Sequence, residues 1–242
     1  MKLSIVIPAF NEEKLLPSTL DAVGSAAAVF TESGVPWEWI VCDNNSTDGT
    51  AAVARERGAT VVFEPVNQIS RARNAGAAAA TGDWLLFIDA DSRPSRGLLS
   101  DALAAMRSGE ILFAGARVRL DAKVRWGGRI GVASWNGLSR LMTWMAGSFV
   151  LVEASAFREV GGFDQRYYAG EEVYLSRHLK RLARKRGKRG AILARHPLET
   201  SARRLKMYSP VDLARFFMRA TLRPWSTPMS REACAMWYDG RR

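Results

Sequence analysis

Apolar residues recur along the chain in short unbroken runs, each followed by a polar turn and then by a stretch with helical spacing. The clearest run is Trp84-Leu85-Leu86-Phe87-Ile88. An apolar run of this length, with turn formers behind it (Ser92, Arg93, Pro94), predicts a strand buried on both faces. Runs rich in apolar or β-branched residues predict further strands over 2–8, 37–42, 59–63 and 111–120. Between them lie helical stretches. The first, over 11–30, puts Leu15, Leu16, Leu20 and Val23 on one face, with Asn11 as its cap and Glu12 and Glu13 in its first turn. A short helix follows the polar turn 43–50 and is stopped by Gly58; others cover 70–80, ended by Gly82, and 95–107. This alternation predicts an α/β domain whose mostly parallel central sheet carries helices on both faces.

After Leu120 the pattern changes. Trp126-Gly127-Gly128 and Gly131 break the regularity, and Trp135, Met142, Trp144 and Met145 then fall in a helix. These large side chains read first as core, and secondly as the lining of an acceptor pocket. A strand over 149–152 leads to a turn-rich connection through Gly161-Gly162-Phe163-Asp164. Gly170-Glu171-Glu172 opens a helix to about Arg186, and 191–194 is a short last strand. Residues 210–223 read as an amphipathic helix with Val211, Leu213, Ala214, Phe217 and Leu222 apolar, and order is not expected beyond Pro224.

The candidate chemistry sits at strand ends. In open α/β sheets ligands bind beyond the carboxyl ends of the strands. Three of the runs end there in Asn or Asp: Asn11, Asp43 and Asp89. Asp89 and Asp91 are two apart, so on a strand they share a face. Two carboxylates so close are costly unless a cation joins them. Mg2+ or Mn2+ fits oxygen ligands and keeps positions open for phosphate oxygens. The Asp89-Ala90-Asp91 motif alone fits two readings equally, a metal-diphosphate site or a strand end with two solvated aspartates, and the polar ends of the three runs favour the site.

Composition narrows the class. The chain has 242 residues, 48% of them hydrophobic, enough for one large domain with a sizeable core. Its two cysteines lie far apart, which argues against a disulfide framework and fits a reducing cytosol. No run approaches the length of a membrane span, and the first residues lack a signal pattern, so a cytoplasmic protein is expected, at most peripheral on the inner membrane face. The net charge of +11 is local: between Arg177 and Lys206 there are 12 Lys or Arg and one acid, Glu199, and elsewhere the signs balance. Such a patch suits phosphates, an anionic membrane or nucleic acid. No glycine-rich phosphate loop of the P-loop or dinucleotide-binding kind is present.

Six pieces in order resemble the family 2 glycosyltransferases. They are Ile7-Pro8-Ala9-Phe10-Asn11-Glu12-Glu13, Asp43-Asn44-Asn45-Ser46-Thr47-Asp48-Gly49-Thr50, Ala72-Arg73-Asn74-Ala75-Gly76, Asp89-Ala90-Asp91, Gly161-Gly162-Phe163-Asp164 and Gly170-Glu171-Glu172. The resemblance covers about residues 1–206. It implies a GT-A fold, with a nucleotide-sugar half over 1–120, an acceptor and catalytic half over 121–206, and a helix and tail over 207–242. It further implies a nucleotide-sugar donor, an acceptor hydroxyl (on a sugar, a lipid-linked or a small molecule), a divalent metal and inversion at the sugar carbon. Nucleic acid is not an expected partner.

Carried over by position, the resemblance puts Pro8, Ala9, Phe10 and Glu12 beside the nucleotide, with Asp43 on the base. Arg71 and Arg73 fall near the phosphates, Asp89 near ribose and metal, and Asp91 on the metal. Glu172 takes the place of the catalytic base. Departures leave choices. The family's usual Glu-Asp is Glu171-Glu172 here, so the two could exchange roles, and Asn44 stands where many members carry a second Asp. His196 matches a position where some members add a metal ligand. Arg203 and Arg204 could reach the diphosphate or form a solvated surface. Rival readings are a phosphohydrolase using the Asp-x-Asp pair, and a membrane- or nucleic-acid-binding protein using the 177–206 patch.

Overall fold

The structure, a computed structural model, describes residues 1–122, 126–203, 207, 215, 218–219, 222–223, 226–235 and 238. The first half follows the hydrophobic pattern. β1 (Leu3–Ala9), β2 (Trp37–Asp43), β3 (Thr60–Phe63) and β4 (Trp84–Ile88) pair in parallel and alternate with α1 (Leu16–Glu32), α2 (Thr50–Glu56) and α3 (Ile69–Ala79). Every residue of β1 and β4 is buried, as unbroken apolar runs require. The small residues of α3 let it lie close on the sheet; a Cβ at Gly76 would collide with Val6.

The second half is mixed. A two-residue strand β5 (Ser92–Arg93) follows the Asp89-Asp91 turn, then α4 (Arg96–Arg107), capped by Ser95, whose Oγ accepts from Leu98 N (3.2 Å). β6 (Ile111–Leu120), α5 (Trp126–Met142), β7 (Phe149–Glu153), α6 (Ala154–Glu159), α7 (Glu171–Lys185) and β8 (Arg189–Thr200) complete it. One eight-stranded sheet runs β3-β2-β1-β4-β7-β6-β8-β5. β7 is antiparallel to both β4 and β6, β5 is antiparallel to β8, and β6 and β8 are parallel. Apolar clusters cover both faces, one with α1 and α4 (Leu20, Phe30, Leu98), the other with α3 and α7 (Ala77, Leu175, Leu179).

Several expectations are corrected. Asn11 does not cap α1, which starts at Leu16; its φ is +52° and its Oδ1 accepts from Thr47 N (2.8 Å). Glu13 likewise accepts from Gly49 N (3.1 Å), so residues 11–13 tie to the loop after β2 instead of starting a helix. The glycines at 127, 128 and 131 lie within α5, while Trp144 and Met145 fall beyond it, after Thr143 at φ +53°. The last strand is 12 residues long and passes through Pro197, with an irregular register around it. The C-terminal end is packed where it is described: Thr227 and Cys234 are buried, and Tyr168 N donates to Pro228 O (2.7 Å). The amphipathic helix expected over 210–223, with Phe216 and Phe217, lies largely outside the described residues. Among the described residues no helix is long and apolar enough to cross a membrane.

Candidate active site

The carboxyl ends of β1, β2 and β4 open into one cleft, bounded by Pro8, Ala9, Phe10 and Glu12 after β1, by Asn44 after β2, and by Asp89, Ala90 and Asp91 after β4. Parallel pairing forces this convergence, because β1 is flanked by β2 and β4 in register. Asp43 is 7% exposed, and its Oδ1 accepts from Ser46 N (3.0 Å), so one of its oxygens holds the turn. Asn44 donates to Val66 O (2.6 Å) and Glu64 O (3.2 Å), fixing the segment that brings Asn67 and Ile69 to the cleft.

Arg73 is the hub. It points from α3 into the sheet and is 1% exposed. Its Nη2 donates to Asp89 Oδ1 (2.9 Å) and to Gly147 O (2.8 Å), its Nη1 pairs with Glu171 Oε1, and its guanidinium lies over the Phe163 ring (5.1 Å). Burial alone would lower its pKa; Asp89 and Glu171 reverse that and raise it, so the charge is locked on. A buried charge of this kind is tolerable only with such partners. Gly147 makes room for it: a Cβ there would stand 2.9 Å from Arg73 Nη2 and 3.5 Å from Glu172 Cδ.

Gly170, at φ +73°, turns the chain into α7, and Glu171 and Glu172 occupy its first turn. There the two glutamates differ. Glu171 is buried and spent on Arg73. Glu172 is half-buried, and its carboxyl is pushed up to about 8, first by burial and then by the neighbouring Glu171, with Arg73 pulling the other way. A carboxyl poised near neutral pH is suited to take up and give back a proton.

On the other wall, Ser201 N donates to Asp91 O (3.1 Å) and Ala202 N to Asp121 Oδ1 (2.9 Å), which brings Arg203 over the cleft. Arg203 Nη2 donates to Glu12 Oε1 (2.6 Å) and stands 3.8 Å from Asp91 Oδ2. Asp89 and Asp91 therefore share one edge with two guanidinium groups. Among the described residues no three His, Cys, Asp or Glu side chains converge well enough to hold a metal ion by themselves. Two carboxylates with oxygen donors still fit Mg2+ or Mn2+, provided that ligand oxygens complete the shell, as is usual for these cations.

The other positions singled out above lie apart. His196 is not brought to the aspartates: its Nδ1 bonds Asp101 Oδ2 on α4 (2.9 Å), and its ring packs against Gly97. Arg71 is half-buried on α3 and does not line the cleft, and Arg204 lies outside the described residues. Tyr238, which no sequence signal marked, lines the cleft from the C-terminal end. Its hydroxyl donates to Tyr168 O (2.9 Å) and its ring meets the Tyr168 ring edge-on.

The family model for glycosyl transferase family 2 matches residues 4–160, which include β1 through β7 and the whole cleft floor. The chain belongs to glycosyl transferase family 2. An uncharacterized glycosyltransferase of Mycobacterium tuberculosis is 38% identical over 136 residues, covering 54% of this chain and 57% of that protein. The match thus spans little more than half the length of that relative. The pre-mycofactocin glycosyltransferase of the same species is 26% identical over 169 residues, 64% of this chain and 31% of that one. The fold is GT-A, matching solved glycosyltransferases. A Pyrobaculum calidifontis mannosyltransferase solved with GDP-Man and Mn2+ superposes with a TM-score of 0.69 at 18% identity, covering 96% of this chain and 64% of that one. The M. tuberculosis glucosyl-3-phosphoglycerate synthase with Mg2+ and UDP gives 0.62 at 21%, covering 97% and 79%.

Proposed function

We propose that this protein moves a sugar from a nucleoside-diphosphate sugar to an acceptor hydroxyl, with Glu172 as the base. The observation that carries the assignment is the unequal fate of two adjacent glutamates: Arg73 binds Glu171, while Glu172 keeps a carboxyl raised to about 8. In this reading residues 1–120 hold the donor and 121–206 supply the acceptor side and the base. Pro8, Ala9, Phe10, Glu12 and Asp43 flank the nucleotide, and Arg73 and Arg203 set positive charge beside its phosphates. Asp91 and Asp89 would hold Mg2+ or Mn2+, which when bound neutralises charge on the departing diphosphate.

The reaction balances as a single displacement. The acceptor oxygen bonds to the anomeric carbon, the bond from that carbon to the diphosphate breaks, and the hydroxyl proton passes to Glu172. The nucleoside diphosphate leaves with the electron pair. Attack from the face opposite the leaving group inverts the configuration. Charge grows on the diphosphate as the bond breaks, so fixed cations there favour the transition state over the ground state. The solved glycosyltransferases of the same fold that carry GDP-Man with Mn2+, or UDP with Mg2+, support a donor and metal of this class.

The test is release of nucleoside diphosphate from a panel of UDP- and GDP-sugars, with Mn2+ or with chelator and with simple sugar acceptors. Release from one nucleotide class, abolished by chelator, is the expected result. Absence of release and of nucleotide binding across the panel would overturn the proposal.

A further inference from the structure

The helix α5 carries an aliphatic stripe on its outer face. At 3.6 residues per turn, Ile130, Ser134, Gly137, Leu138 and Leu141 fall within about 100° of one another. All five are exposed, with Ile130 at 52%, Leu138 at 43% and Leu141 at 80%. Gly137 has nothing within 4 Å of where a Cβ would stand. The opposite face holds half-buried Val132, Trp135 and Met142 together with two bonded polar residues. Asn136 bonds both N and O of Val118 on β6 (2.9 Å each), and buried Ser139 donates to Trp144 O (2.6 Å). The helix thus meets the rest of the fold with a mixed face and also presents aliphatic side chains to solvent, more than a surface helix with one buried face requires.

The charge around this face has one sign. The helix α5 holds no Asp or Glu, and exposed Arg140 flanks the apolar stripe. On α7, Arg177, Arg181, Arg184 and Lys185 are exposed and share one face. Lys180 of α7 donates to Met142 O at the end of α5 (2.7 Å), and Arg177 stacks on Trp144 (5.2 Å), which sets that basic face beside the end of α5. By contrast Arg186, Lys188 and Arg189 of the same sequence patch are paired with Glu159, Glu153 and Glu110. The exposed cations of α7 thus lie next to the aliphatic stripe, while Arg195 is exposed on β8.

We infer that the outer face of α5, with the adjoining basic face of α7, docks on an anionic lipid bilayer. Aliphatic side chains enter the acyl boundary while arginines meet the phosphate headgroups. A second copy of the chain would set the same basic rim against itself, whereas anionic headgroups neutralise it. The inference stands apart from the transfer reading, because it rests on α5 and α7 and its readout needs no turnover.

The test is flotation of the full chain with vesicles of phosphatidylcholine alone or mixed with phosphatidylglycerol. Co-flotation with the anionic vesicles only, weakening as salt rises, is expected. The Leu138→Glu/Leu141→Glu variant should bind the anionic vesicles at least about tenfold less, and Ile130→Glu should show a smaller loss in the same direction. All should keep the thermal midpoint of the unmodified chain, since these side chains are exposed. Absence of co-flotation at low salt, or equal binding by the double variant, would overturn the inference. So would a dimer in sedimentation that the double variant makes monomeric without any lipid binding, since the face would then cover a second copy.

Discussion

Two pairs of carboxylates are joined through Arg73, and they are built on opposite principles. Asp89 and Asp91 sit where a buried parallel strand ends, and each has a guanidinium beside it: Arg73 bonds Asp89, and Arg203 stands 3.8 Å from Asp91. Glu171 and Glu172 sit in the first turn of α7, and there the cation is shared unequally. Arg73 takes Glu171, and burial drives Glu172 toward its protonated form. The strand-end pair therefore has a guanidinium beside each carboxylate and faces the cleft. The helix-start pair contains one carboxylate paired with Arg73 and one that burial raises to about 8. Under the proposed function, this difference assigns donor binding to one side of the site and proton transfer to the other.

The sharpest way to break this division is to neutralise each glutamate in turn. Glu172→Gln should lower transfer by about 10²- to 10⁴-fold, the range of a lost general base, with nucleotide affinity unchanged. Glu171→Ala should act mainly on the fold. It leaves Arg73 buried with one carboxylate fewer, which costs about 3 kcal/mol and is read as a lower thermal midpoint. Loss of transfer in Glu171→Ala at an unchanged midpoint, with full transfer in Glu172→Gln, would exchange the roles.

A smaller effect is expected where the two sides touch. Gly147→Ala would press a methyl group against Arg73 Nη2 and close to Glu172. Transfer should drop about tenfold, as a slight misplacement of reacting groups allows, while nucleotide affinity holds. Equal activity would mean that the hub tolerates displacement.

The pH dependence sharpens the same point. A base must be ionised to act, so kcat/KM should rise with pH until it levels off above about 8. Stability runs the other way. With the folded pKa raised above the ordinary 4.5, the native state binds the extra proton, and the stabilisation present at low pH is lost as pH rises through about 8. Glu172→Gln should remove that fall, so above pH 8 its midpoint should exceed that of the unmodified chain by about 2–4 °C for each kcal/mol recovered. The smallest effect is expected at His196. His196→Ala removes a half-exposed contact with Asp101, worth less than about 1 kcal/mol, and should leave metal-dependent nucleotide binding unchanged.

Much of the donor side was legible in the sequence because buried parallel strands must be apolar throughout, and their polar ends then stand out. The run 84–88 and the pair behind it gave the cleft floor directly. The helix-start pair was visible too, but not which glutamate is free, because the deciding partner, Arg73, lies 98 residues from Glu171 in sequence. Asn11 misled for a similar reason: its amide is claimed by Thr47, across two elements, before a helix can use it. The length of β8 was hidden because its apolar run stops at Ala194 and the strand continues through Arg195, His196 and Pro197, which are tolerated where it is only partly buried. In α5 the large residues read as core, Trp135 and Met142, are half-buried, but the aliphatic stripe of Ile130, Leu138 and Leu141 on the other face was not singled out, because a second apolar face leaves no clean helical period.

The division of labour is tested most directly by thermal unfolding with UDP and GDP, each with and without Mn2+, for the unmodified chain, Asp91→Ala and Glu172→Gln. A ligand that binds only the native state raises the midpoint by mass action. A metal-dependent rise with one nucleotide, kept in Glu172→Gln and lost in Asp91→Ala, is the predicted result. An equal rise in Asp91→Ala, or its loss in Glu172→Gln, would contradict the separation of donor binding from proton transfer.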